Sequence, residues 1–144
     1  MLTKPHQPFR IVDKRRFLLA AMHALAGEAH ISFEGRLGSS KLAELRTAST
    51  LESTVLRRNT IWPKQDFLLL PLEAEGVEAI GRALGGTVPR SILHIQVEKQ
   101  GELALGLYDL PKPHIFVGKV LPPQFMSQLQ SEGVVKENRS KPIN

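Results

Sequence analysis

The stretch GRLGSSK at residues 35–41 gathers two glycines, two serines and a lysine, the composition of a phosphate-cradling loop. Such a loop needs four residues between its glycines and a lysine directly after the second, so that backbone N–H groups wrap the phosphates while the amine reaches them. Here two residues separate Gly35 from Gly38, and Lys41 follows Ser39 and Ser40. The spacing excludes a nucleotide loop and suits Ser40 as the N-cap of a short helix. The five histidines, His6, His23, His30, His94 and His114, form no metal-ligand motif. His94 and Glu98 share a strand face, but four residues at about 3.3 Å each set them roughly 13 Å apart, too far to hold one ion together. No metal site and no cofactor are therefore expected.

General acid–base chemistry would have to come from Glu34, Glu98, Glu102, His30, His94 or Asp109 converging on one pocket. Ser39, Ser40 and Ser91 lack a nucleophile-elbow sequence, and the absence of cysteine removes thiolate nucleophiles, disulfides and cysteine-ligated zinc. No catalytic residue can be named, which weighs against an enzyme.

Binding chemistry is better represented. In LRRNTIWPKQ, residues 56–65, Arg57, Arg58 and Lys64 surround the single tryptophan, Trp62. Cations around an aromatic plate suit single-stranded nucleic acid, and the same residue types are enriched at protein-interface hot spots. Because tryptophan is highly buried on average, Trp62 is expected to plug the core edge beneath a turn made by Pro63, with the cations in water. The net charge of +5 is uneven: residues 1–64 carry 11 Lys or Arg against 5 acids, 65–135 carry 5 against 8, and 136–144 carry 3 against 1. A basic first half attracts nucleic acid or an acidic partner.

The second binding surface is read from HIQVEKQGELALGLYDL, residues 94–110. A two-residue turn at Gln100 and Gly101 would put Leu103, Leu105 and Leu107 on the same face as His94, Gln96 and Glu98. A three-residue loop of Lys99, Gln100 and Gly101 instead aligns them with Leu93, Ile95 and Val97. That register opposes Glu98 to Glu102, and leaves His94, Gln96, Glu98, Glu102, Ala104 and Gly106 as an open, polar face. Partner binding is assigned to His94, Gln96, Glu98 and Glu102 on this face.

The elements that carry these residues follow from periodicity. Phe9–Val12 suits a short strand; Asp13 caps a helix in which Phe17, Leu18, Ala21, Met22 and Leu25 recur on one face before Gly27. HISFEG at 30–35 reads as a strand, residues 39–45 as a short helix, and TLESTVL at 50–56 as a strand rich in Thr and Val. Phe67–Leu70 forms a strand interrupted by Pro71. A helix follows at 74–84, then the hairpin at 92–109, a strand at HIFVG and a last helix at 122–132. The helix-to-strand segments around HISFE and HIQVE echo each other, and a duplication would place His30 with His94 and Glu34 with Glu98 in pseudo-symmetric positions.

Together these predict a single α+β domain over residues 1–135, with a twisted, mainly antiparallel sheet, a mixed one being the alternative, packed on one face by about three helices. Residues 136–144 are expected to be a frayed polar tail. No apolar run is long enough to span a bilayer, and Lys14–Arg16 before Phe17 has no cleavage-site pattern, so a cytoplasmic protein is expected. The function expected is non-catalytic recognition of a protein partner, as in small adaptor, immunity or regulatory domains. The alternatives are nucleic-acid binding through the basic half and a small hydrolase using His and Glu on the open face. Homo-oligomerisation is compatible with all three.

Overall fold

The computed structural model describes residues 8–38 and 40–138. Residues 1–7, Ser39 and the tail from 139 onward lie outside them. Five strands, β2 (Ala29–Gly35), β3 (Asp66–Leu72), β4 (Ile92–Lys99), β5 (Glu102–Tyr108) and β6 (His114–Val117), make one sheet in the order β3-β2-β4-β5-β6. Every neighbouring pair is antiparallel, so the chain is α+β and the mixed-sheet option falls away. β1 (Phe9–Ile11) and β7 (Val135–Glu137) form a separate antiparallel ribbon. Lys136 and Glu137 are thus paired, not frayed, because the buried Val135 anchors their strand opposite Ile11. Among the described residues no helix is long and apolar enough to cross a membrane.

The helices are α1 (Lys14–Leu25), α2 (Gly76–Leu84) and α3 (Gln124–Ser131). The Asp13 carboxylate accepts the Arg16 N–H at 3.0 Å, which satisfies one of the unpaired donors at the start of α1. The residues expected on its buried face, Phe17, Leu18, Ala21, Met22 and Leu25, are all buried. They share one core with Val77, Ile80 and Leu84 of α2, Leu129 of α3, and Ile31, Phe33, Leu70, Ile95, Val97, Leu105 and Leu107 of the sheet. The basic first turn of α1, unfavourable at its own positive end, is partly accounted for by Arg15. Its guanidinium donates to the carbonyls of Gly85 and Gly81 at the negative end of α2.

Three expectations are corrected. Pro71 does not interrupt its strand: β3 continues to Leu72, and as an edge strand it tolerates a residue without an N–H. The 50–56 stretch is not a strand; around it only Ser49 bridges to Leu69, and the short helix after Ser40 is a single 3₁₀ turn, Lys41–Glu44, with Ser40 Oγ accepting the Leu42 N–H. Thr and Val promote strands only where a ladder receives them; after the Ser49 bridge to the free edge of β3 the chain leaves that edge, and the next fastenings, at residues 57, 59 and 60, are to side chains of β2 and β4.

The hairpin register is the third. Lys99 pairs with Glu102 across a two-residue turn, with Gln100 and Gly101 both in the left-handed region at φ 53° and 83°. The phase conflict that argued against this turn is absorbed by a bulge: Val97 pairs with Leu105, Glu98 pairs with Leu103, and Ala104 is the extra residue. Ile95–Leu107 and Val97–Leu105 therefore meet on the core side as expected, but Leu103 sits opposite Glu98 on the other face. Glu98 and Glu102 do not oppose each other. A second bulge at Leu93 turns Ile92, not Leu93, into the core.

This register predicts unequal leucines. Leu105→Ala should cost about 2–5 kcal/mol as a fully buried truncation, whereas the half-buried Leu103→Ala should cost less than half as much in denaturant melts. Equal losses would contradict the bulge.

Candidate functional site

The sheet face opposite the helices is not open. Residues 45–65 contain no helix or strand beyond the Ser49 bridge, and this strap covers the polar side of β2 and β4. Its anchor is Glu34, 1% exposed, whose Oε1 accepts the Asn59 N–H at 2.7 Å and whose Oε2 accepts the Thr60 N–H at 2.8 Å. A carboxylate taking two backbone N–H groups forms charge-assisted bonds, which offset the cost of burying it.

His94 and Gln96 add two more fastenings. The Asp109 N–H donates to His94 Nδ1 at 3.1 Å, so that nitrogen is the acceptor and the ring proton lies on Nε2, 2.9 Å from Thr60 Oγ1. Gln96 Nε2 donates to the Arg57 carbonyl at 2.8 Å, and the Tyr108 hydroxyl donates to Gln96 Oε1 at 3.1 Å. Burial raises the Tyr108 phenol above its ordinary 10.0, which keeps it a donor at neutral pH. A Cβ on Gly106 would collide with the Tyr108 ring, so glycine there lets that ring lie against the sheet. Among the described residues no buried side-chain nitrogen or oxygen lacks a hydrogen-bond partner.

Beside this network the strap has a small apolar cushion of its own. Leu56 and Phe67 are buried outside the main core, and the Arg58 guanidinium lies 5.3 Å above the Phe67 ring. Arg58 donates to Glu52 at 2.8 Å and to the Gln65 carbonyl, while Arg57 donates to Glu52 at 3.2 Å. The hydrogen bond from Arg58 is the main reason the Glu52 carboxyl is held below its ordinary 4.5.

At the outer turn of the strap the burial pattern inverts. Ile61 is 94% exposed and Trp62 84%, so Trp62 does not plug the core as expected. The reason is geometric: Glu34 pulls the Asn59 and Thr60 backbone onto the sheet, and the next residues turn outward from it. Lys64 is also exposed.

The four residues assigned to an open docking face are therefore split. His94 and Gln96 are buried at 6% and 5% and bind the strap, so they present no surface to a partner. Glu98 sits at the hairpin end, where it contacts His30 Nδ1 at 3.1 Å and accepts the Gly101 N–H. Glu102 is exposed opposite Lys99, whose ammonium turns inward to the carbonyls of Leu25, Ala26 and Gly27. Arg57, Arg58, Trp62 and Lys64 do lie together on the strap, but two of the three cations are spent on Glu52. His94 Nδ1 already accepts the Asp109 N–H, and Glu34 is buried beneath the strap with a backbone N–H on each oxygen, so neither group faces a pocket. Among the described residues no three His, Asp or Glu side chains converge as a metal site.

Sequence reasoning left Ile61, Thr60 and Glu52 out of any site. Reading 50–56 as a strand hid the signal, since an irregular stretch of about 20 residues inside a small domain is uncommon and usually functional. Comparison of the chain with protein-family models, with curated proteins and with solved structures finds no significant match in any of the three.

The network makes three expected outcomes. Gln96→Ala should cost about 1–3 kcal/mol, since it leaves the Tyr108 hydroxyl without its acceptor and removes one of the two donors, with Asn59 Nδ2, to the Arg57 carbonyl; a loss under about 0.5 kcal/mol in denaturant melts would mean that the face is wet. Glu34→Gln replaces one acceptor with a donor facing a backbone N–H, so amide hydrogen exchange at Asn59 and Thr60 should accelerate at least tenfold while the α1 amides hold. For Glu52 the folded carboxyl titrates below its unfolded value, so its ion pairs stabilise fully above about pH 4.5 and are lost as pH falls through the depressed value. Acid titration of strap amide shifts should show that step in the native chain and lose it in Glu52→Gln.

Proposed function

We propose that the chain is a non-catalytic recognition domain that docks a protein partner through the Ile61–Trp62 tip, with Lys64 at its rim. The observation that carries this reading is the near-complete exposure of two large apolar side chains on a strap fastened at its base. Scattered exposed apolar residues are ordinary, but a tryptophan next to an isoleucine on a pre-ordered loop is a hot-spot arrangement, and fixing the loop in advance lowers the entropy lost on binding. The partner suited to it has an apolar pocket rimmed by acids, complementary to the basic first half of the chain.

Nucleic-acid binding is supported less well. Strength on a phosphate backbone rises with the number of cations free to displace counterions, and Glu52 already neutralises much of Arg57 and Arg58. A hydrolase would need a base with a free lone pair at a pocket, which the His94–Glu34 network does not offer.

A photo-crosslinking residue at position 62 in the source cell should capture one protein, and that capture should disappear in Ile61→Asp. Calorimetry with the purified captured protein should then show affinity at least thirtyfold weaker for Trp62→Ala, about 2 kcal/mol, with the melting temperature held. Crosslinks to nucleic acid alone, or unchanged affinity of a folded Trp62→Ala, would overturn the proposal.

A further inference from the structure

A second feature, sharing no residue with the strap, is a groove of about 930 Å³ between the start of α1, the loop after α2 and the end of β5. Its floor includes Val88, Ile92 and Leu110, and its cations are Lys14, Arg15 and Arg90. Arg15 is fixed in place by the Gly85 and Gly81 carbonyls. The one carboxylate in the lining, Asp13, already accepts the Arg16 N–H.

From this we infer that the groove is a binding site for a small organic monoanion with an apolar body, of the medium-chain or aryl carboxylate class. Three observations support that chemistry. The volume falls within the few hundred to about 1,000 Å³ usual for small-molecule sites, which combine apolar walls with a few placed polar groups. Three cations against one acid give the groove a net positive field beside the N-terminus of α1, whose dipole favours an anionic headgroup. The apolar floor then rewards a hydrocarbon body that inorganic phosphate lacks, and the Asp13 carboxylate opposes a second negative charge on the ligand.

The probe is octanoate, titrated below its micellar range into the full chain and followed by amide chemical shifts, with acetate as headgroup alone and 1-octanol as body alone. Octanoate should shift the amides of Lys14, Thr87 and Arg90, with acetate and octanol each at least tenfold weaker. Lys14→Glu with Arg90→Glu should weaken octanoate at least tenfold. Arg90→Glu alone, at an exposed position, should weaken it at least threefold and guards against a folding defect in the double variant. Trp62→Ala should bind octanoate as the native chain does, so failure of the groove and failure of the strap reading are separable. Shifts outside the groove, octanol binding as tightly as octanoate, or unchanged binding in a folded Arg90→Glu would overturn the inference.

Discussion

The strap and its exposed tip depend on one buried carboxylate. Glu34 lies on the sheet face opposite the helices, where an ionised group without partners would be costly, and two consecutive backbone N–H groups of the strap make its burial acceptable. The dependence runs both ways. The strap's irregular backbone would otherwise leave unpaired donors over a sheet, and Glu34, His94 and Gln96 supply acceptors and donors at three successive points, residues 57, 59 and 60. A segment without regular secondary structure is thereby fastened over the sheet, and its outermost residues, Ile61 and Trp62, are carried into solvent.

The two echoing strand motifs meet in this arrangement. HISFE and HIQVE pair antiparallel about Ser32 opposite Gln96, which places His30 across from Glu98 and Glu34 across from His94. The same pair of residue types thus occurs twice with opposite fates. At the hairpin end His30 stays exposed beside Glu98, while at the other end the strap closes over Glu34 and His94. The same His–Glu cross-strand pair gives a surface hydrogen bond or an interior network according to what a segment some 25 residues from Glu34 does.

That contrast marks what was legible in the sequence. Helix α1 could be read residue by residue because its apolar positions repeat and Asp13 caps it, and the core side of the hairpin could be read at Ile95, Val97, Leu105 and Leu107. The turn could not, because alternation fixes which residues share a face only while no residue is inserted, and the Ala104 bulge leaves no mark in composition. The same alternation singled out His94 and Gln96 as a face distinct from the core, but pattern shows only that a face is polar; whether water or chain covers it depends on contacts distant in sequence. Trp62 departs from its expected burial for a related reason. Average burial is a property of the residue type, and the hydrogen bonds at residues 59 and 60 override it.

The central claim is that the strap is ordered yet its tip lies in water, and the single tryptophan allows both parts to be read at once. Time-resolved fluorescence anisotropy of Trp62, combined with acrylamide quenching, is the most direct measurement. The account predicts quenching close to that of free tryptophan together with depolarisation dominated by tumbling of the whole molecule, and a fast local component appearing in Glu34→Gln. Weak quenching, or a dominant fast component already present in the native chain, would contradict it.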